Sequence, residues 1–172
     1  MKIYVASFFE TKKRLQEPKN ALWEMGYNIT SSWLNEIPKA DFIPTKEIFW
    51  KKLAMKDLAE LNAADAIILD TIDVNPRGGR EVEFGFALGC WQTKLVCIVG
   101  PYRNVFHTLA DKQFDSWEDC LKWFENPAAD SLNKSRIDDP VAAKKPTLTI
   151  DWNKSFETFP FGKGIKEYED KN

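Results

Sequence analysis

The feature that most constrains this chain is a set of short, uninterrupted apolar runs separated by stretches of helical spacing. Ile3-Tyr4-Val5-Ala6, Ala66-Ile67-Ile68-Leu69 and Leu95-Val96-Cys97-Ile98-Val99 contain no charged residue. Runs of this kind suit strands buried on both sides, as in a parallel sheet covered by helices. Between them, Thr11 to Met25 has charges on one face and Leu15, Leu22 and Met25 on another, with Gly26 as a stop. Thr45 to Leu61 repeats Ile48, Phe49, Leu53, Leu58 and Leu61 at helical intervals. Tyr27 to Ser32 reads as a further strand, Ala64 to Asp70 as the next, and Arg80 to Trp91 as a helix. Ser116 to Phe124 reads as a short amphipathic helix with Ser116 as N-cap and Asp119 at the third helical position. Alternating strands and helices imply right-handed crossovers, so the expected class is an α/β three-layer sandwich with a parallel sheet, flavodoxin- or Rossmann-like.

A chain of 172 residues suits one compact domain with a tail, and 44% hydrophobic residues exclude a wholly disordered chain. The break is expected after Glu125. Asn126 to Lys145 is polar, with Pro127 and Pro140, and Pro146 to Gly164 regains apolar residues without a helical period. The expected division is a domain over 1–125 and a partly irregular extension over 126–172, lying along the domain or a neighbouring subunit.

The balance of 24 basic and 26 acidic residues argues against a surface built to neutralise a nucleic-acid polymer. A small anionic ligand needs only a few donors and stays open. Cys90, Cys97 and Cys120 form no Cys-x-x-Cys pair and are odd in number, which fits reduced thiols in a cytoplasmic protein. The lone histidine, His107, excludes a His-rich metal site. The apolar start, Met1 to Phe9, is too short for a signal core or a membrane span.

In open α/β sheets, ligands bind beyond the carboxyl ends of the strands. Four segments should lie there: Ser7-Phe8-Phe9, Ser31-Ser32-Trp33, the loop from Asp70 to Gly79, and Gly100 to Asn104. Phe8, Phe9 and Trp33 either stack on a flat ligand or pack strand ends. Trp117, Trp123 and Phe124 read as packing of a helix on the sheet. Gly78-Gly79 allows close backbone approach, and the following helix start offers free N–H groups. The loop is neither a Gly-x-Gly-x-x-Gly fingerprint nor a P-loop, which argues against NAD binding and Walker-type phosphoryl transfer.

Glu81 and Glu83 are expected in the first turn of that helix, where the dipole favours a carboxylate by about 0.3–1 kcal/mol. A carboxylate so placed is expected to stay ionised at neutral pH, fit to attack an electrophilic carbon. Spacing does not choose between the two. Asp57 lies late in its helix, the unfavourable end for an acid, and is either solvated or aimed into the site as a proton donor.

Together these residues resemble the nucleoside 2-deoxyribosyltransferase family, which includes deoxynucleoside 5′-monophosphate N-glycosidases. Ile3-Tyr4-Val5-Ala6-Ser7 is similar to the family's first strand, and Asp57-Leu58 with Ala63-Ala64-Asp65-Ala66-Ile67 to its "DL…AD" segment. Gly78-Gly79-Arg80-Glu81-Val82-Glu83-Phe84-Gly85-Phe86-Ala87-Leu88 is similar to the stretch carrying the nucleophile. Val99 to His107 is similar to a "VGPRxNVFH" segment of one branch. The likeness spans residues 1–124 and stops before the tail.

The resemblance implies Glu83 as nucleophile, Asp57 as the acid that protonates the departing base, and Tyr4 as the residue orienting the nucleophile. Ser7, Phe8, Trp33, Gly78 and Gly79, at the sheet edge, are the expected substrate contacts. Asn104 and His107 are expected to complete a pocket across subunits of a homo-oligomer. The implied reaction is N-deoxyribosyl transfer between nucleobases without metal or organic cofactor. The alternatives are hydrolysis of a 2′-deoxynucleoside 5′-monophosphate and nucleotide binding without turnover. A 5′-phosphate would need donors, for which Ser7, Arg77, Arg80 and the Gly78-Gly79 amides are the candidates. Arg77 stands six residues before Glu83, where some relatives carry an acid or a serine.

Overall fold

Each of the apolar runs becomes a strand. The computed structural model describes residues 1–36, 47–74, 78–90 and 94–126, all within the unit Met1–Asn133. Strands β1 (Lys2–Ala6), β2 (Asn28–Ile29), β3 (Ala66–Asp70), β4 (Leu95–Val99) and β5 (Lys112–Phe114) form one sheet in the order β2-β1-β3-β4-β5. Every pairing is parallel. This is the flavodoxin-like strand order, with its topological switch between β1 and β3. All five residues of β3 are buried, as are four of five in β1 and in β4.

Helices α1 (Gln16–Glu24) and α4 (Trp117–Glu125) pack together, as do α2 (Glu47–Asn62) and α3 (Gly79–Gly89). Right-handed crossovers put the two pairs on opposite faces and give the expected three layers. The core gathers β1, β3 and β4 with Leu22, Leu61, Phe84 and Phe124 from the helices and Leu15, the N-cap of α1. Ser116 caps α4 as expected, its Oγ accepting from the Asp119 N–H at 3.1 Å. Among the described residues no helix is long and apolar enough to cross a membrane.

Four elements depart from the sequence reading. The helix expected from Thr11 splits into a 3-10 turn, Phe9–Lys13, and then α1. Thr11 holds that turn, its hydroxyl donating to the Phe8 carbonyl at 2.7 Å, and Pro18 is tolerated only near the start of α1. Strand β2 has two residues because the ladder is taken over by side chains: the Val5 N–H donates to Ser31 Oγ at 3.2 Å. Strand β5 went unanticipated, since only Phe114 of its three residues is buried. Helix α3 begins at Gly79 with Gly78 as N-cap, one residue earlier than expected. The extension over 127–172 and Arg77 lie outside the described residues.

Gly100 closes β4 with φ of +106°. A Cβ there would lie 2.7 Å from the Ile72 N and 2.8 Å from Thr71 Oγ1. Glycine therefore lets the loop after β3 touch the loop after β4.

Candidate active site

At the switch point, a cavity of about 290 Å3 opens beyond β1 and β3. Its size suits a nucleoside-sized molecule. One wall is the exit of β1: Ser7, Phe8, Phe9 and Glu10. A second is α2, which presents Trp50, Leu53 and Asp57 at intervals of three and four residues, hence on one face. A third is the start of α3, with Gly79, Arg80 and Glu83, and Trp33 and Glu36 complete the lining.

Tyr4 lies behind this lining, wholly buried in β1, and its hydroxyl donates to Glu83 Oε1 at 2.7 Å. Burial, with the charges of Glu83, Asp57 and Glu60, holds the phenol far above its ordinary pKa, so it remains a donor. Glu83 itself is pushed up to about 7. Burial is the leading cause; the Tyr4 hydrogen bond opposes it and the Asp57 charge adds to it. The expectation of a carboxylate fully ionised at neutral pH is thereby corrected. Glu83 is the fifth residue of α3, past the first turn where the helix dipole acts, and desolvation prevails.

Asp57 faces the same cavity. Its Oδ1 is buried with no hydrogen-bond partner. Its carboxyl is pushed up to about 6, first by burial, with Lys56 opposing and Glu60 and Glu36 adding. Two carboxyl groups with elevated pKa values in one cavity are an arrangement fit for acid–base work.

Glu81, two residues from Glu83, has the opposite surroundings. Its Oε2 accepts from His107 Nε2 at 2.7 Å and from Asn104 Nδ2 at 2.9 Å, and its Oε1 from Arg80 Nε at 3.2 Å. Burial raises its pKa, but the bonds from His107 and Arg80 outweigh it and hold the carboxyl below its usual value. Geometry thus separates two glutamates that spacing left equal.

The cavity brings together Ser7, Phe8, Trp33, Asp57, Gly79 and Glu83. Gly78 is the exposed N-cap of α3 and is not among the lining residues. Within this chain Asn104 and His107 gather around Glu81. Trp33 packs at the strand end, its Nε1 donating to the Val5 carbonyl at 2.9 Å, and it also lines the cavity. Sequence reasoning missed Glu36, Trp50 and Leu53. The period of Trp50, Leu53 and Asp57 was the available signal. Arg80, a candidate phosphate donor, has its Nη1 bound to the carbonyls of Asp70 and Asp73 at 2.9 and 3.1 Å. Its guanidinium also stacks over the Phe8 ring, 4.1 Å from the centroid. Among the described residues no three His, Cys, Asp or Glu side chains gather as metal ligands would.

No protein-family model and no curated protein matches the sequence. Solved structures do match the fold. A 2-deoxyribosyltransferase of Bacillus psychrosaccharolyticus superposes with a TM-score of 0.58 at 23% identity, over 73% of this chain and 91% of that one. A conserved protein of Enterococcus faecalis superposes with a TM-score of 0.56 at 15% identity, over 74% of this chain and 98% of that one. A CMP N-glycosidase of Clostridium botulinum gives a TM-score of 0.46 at 16% identity, over 71% and 96%. The likenesses to the 2-deoxyribosyltransferase and the Enterococcus faecalis protein establish the α/β fold.

Proposed function

We propose that the chain is an enzyme that transfers the 2-deoxyribosyl group of a deoxynucleoside from one nucleobase to another. The carrying observation is the Tyr4–Glu83 hydrogen bond beside an unpartnered Asp57 oxygen in one cavity. The shared fold with a 2-deoxyribosyltransferase supports the reading.

In the first step, ionised Glu83 attacks C1′ as the C1′–N bond breaks. The bonding pair leaves with the base, and Asp57, directly or through a water, gives the base its proton. Charge at C1′ in the oxocarbenium-like state is stabilised by the carboxylate that then captures it as an ester, as in retaining glycosidases. Tyr4 holds one carboxylate oxygen, which leaves the other to react. In the second step a new base attacks C1′, its displaced proton returns to Asp57, and Glu83 leaves as carboxylate. Water in place of the base gives hydrolysis. Phe8 and Trp33 offer flat apolar surface for the base.

The donor inventory favours a free nucleoside over a 5′-monophosphate. Thr11 Oγ1 donates its hydrogen to the Phe8 carbonyl, so Ser7 Oγ, 2.8 Å away, is the donor to Thr11 and shows the cavity only lone pairs. The Trp33 N–H and Arg80 Nη1 are also occupied. With these donors engaged, Asp57 and Glu83 present acceptors that suit sugar hydroxyls, while the Arg80 guanidinium and the start of α3, which also line the cavity, are the groups left for an anion.

The reading includes a homo-oligomer with shared active sites. Val105 and Phe106, 73% and 63% exposed on the turn after β4, are apolar surface for a second copy to cover. The test mixes the full chain with a deoxynucleoside and a different free base, then separates the products. A new deoxynucleoside supports transfer, and free base with deoxyribose supports hydrolysis. No change across a panel including monophosphates contradicts both and leaves binding without turnover.

A further inference from the structure

Helix α3 begins without internal support. Its N-cap is Gly78, which supplies no capping side chain, and its first residue is Gly79. Glycines fix a backbone poorly. Glu83 nevertheless has to stay in hydrogen-bond reach of Tyr4, so something outside the helix must hold this start.

Arg80 holds one side of this start, through the carbonyls of Asp70 and Asp73, and the loop after β4 holds the side that carries Glu81. His107 is wholly buried, and its ring meets Phe84 of α3 edge-on with centroids 5.0 Å apart. Both ring nitrogens are engaged. Nδ1 accepts the Arg103 backbone N–H at 3.1 Å, which places the ring proton on Nε2. Nε2–H then donates to Glu81 Oε2 at 2.7 Å. The approach of Asn104 Nδ2 to Nε2 sets two donors side by side, both serving the same carboxylate oxygen. Arg103 extends the brace: its Nε and Nη2 donate to the carbonyls of Thr71 and Ile72 at 3.1 and 2.9 Å. One buried ring thereby joins the loop after β3, the loop after β4 and the start of α3.

We propose that His107, acting through Glu81, is a positioning residue that holds the start of α3 so that Glu83 stays on Tyr4 and in the cavity. It is not among the residues that line the cavity. The proposal rests on the transferase reading for its kinetic arm and is independent of it in its spectroscopic arm.

His107→Phe keeps a flat ring against Phe84 and removes both hydrogen bonds. Glu81→Gln keeps an acceptor oxygen for Nε2–H, and Glu81→Ala does not. In the full chain, His107→Phe and Glu81→Ala should lower kcat by about 10- to 100-fold, as misplacement of a reacting group does. KM should stay within about threefold, and Glu81→Gln should recover most of the lost rate. The Glu83 carboxyl, faced by Tyr4 from β1 and Asp57 from α2, should become more solvated in His107→Phe. Its titration, followed by NMR of carboxyl-labelled glutamate, should then move below the wild-type midpoint of about 7.

An unchanged kcat in a folded His107→Phe chain overturns the proposal. So does a change confined to KM, which would make His107 a substrate contact. If the wild-type chain turns over no deoxynucleoside, the transferase reading fails by itself. The titration then decides: a lowered midpoint in His107→Phe supports the brace, and an unmoved one overturns it.

Discussion

The hydroxyl of Tyr4 donates to Glu83 Oε1 at 2.7 Å across 79 positions of sequence. It joins the first strand to the helix after the third, across the switch point of the sheet. Tyr4→Phe removes this bond and the lowering influence it has on Glu83, so the Glu83 pKa should rise above about 7. The alkaline limb of the kcat/KM profile, which follows the higher of the Glu83 and Asp57 values, should shift to higher pH while the acid limb stays in place, with kcat reduced by about 10- to 100-fold. Rate measurements across pH in both chains check this.

Glu83→Gln should abolish turnover, by about 1,000-fold or more, while the chain remains folded. Its stability should change with a definite sign. A carboxyl whose folded pKa is raised contributes stability below its unfolded pKa and loses it as pH rises through the folded value. For Glu83 that window runs from 4.5 to about 7. At pH 8 the buried charge is therefore a cost, on the order of 1–3 kcal/mol, which glutamine relieves. Thermal unfolding should show the variant more stable than wild type at pH 8 and near it at pH 4.

The same pair sets the pH dependence of the reaction. Glu83 must be ionised and Asp57 protonated, yet values of about 7 and about 6 leave the shared proton mostly on Glu83, so the productive arrangement is the minor tautomer. The two titrate as a unit that holds one proton between them in that range. The rate should follow a bell with its maximum between about 6 and 7. Asp57→Asn should flatten the alkaline limb, and it should slow substrates with poor leaving bases more than those with good ones.

Gly100→Ala should destabilise the fold. The substitution adds a Cβ against the backbone at Ile72 and asks a residue with a side chain to hold φ at +106°. The expected cost is about 2–4 kcal/mol. Denaturant unfolding measures it, and the midpoint should fall without a change in slope.

What the sequence disclosed follows from where burial was complete. Strands β1, β3 and β4 announced themselves because both faces are covered, and Ser116 because capping is local chemistry. Strand β5 was hidden because only Phe114 of its three residues is buried, and the 3-10 turn at Phe9–Lys13 because one Thr11 hydroxyl bond interrupts an otherwise helical pattern. Glu81 and Glu83 could not be told apart from their spacing. Only the fold shows one carboxylate spent on His107 and the other facing a cavity. The resemblance pointed to Glu83, but not to its elevated pKa, which arises from burial beside Asp57. Trp50 and Leu53 were legible in principle, as the residues sharing a helical face with Asp57.

The central claim is that Glu83 forms a covalent bond to the anomeric carbon. A deoxynucleoside analogue with fluorine at C2′ slows breakdown of a glycosyl ester, because fluorine destabilises the cationic transition state. After incubation with the full chain, intact-mass measurement and peptide mapping should find one fluorosugar per chain, esterified to Glu83. A sugar attached to Glu81 or any other side chain, or steady turnover of the natural substrate with no adduct at all, would contradict the account.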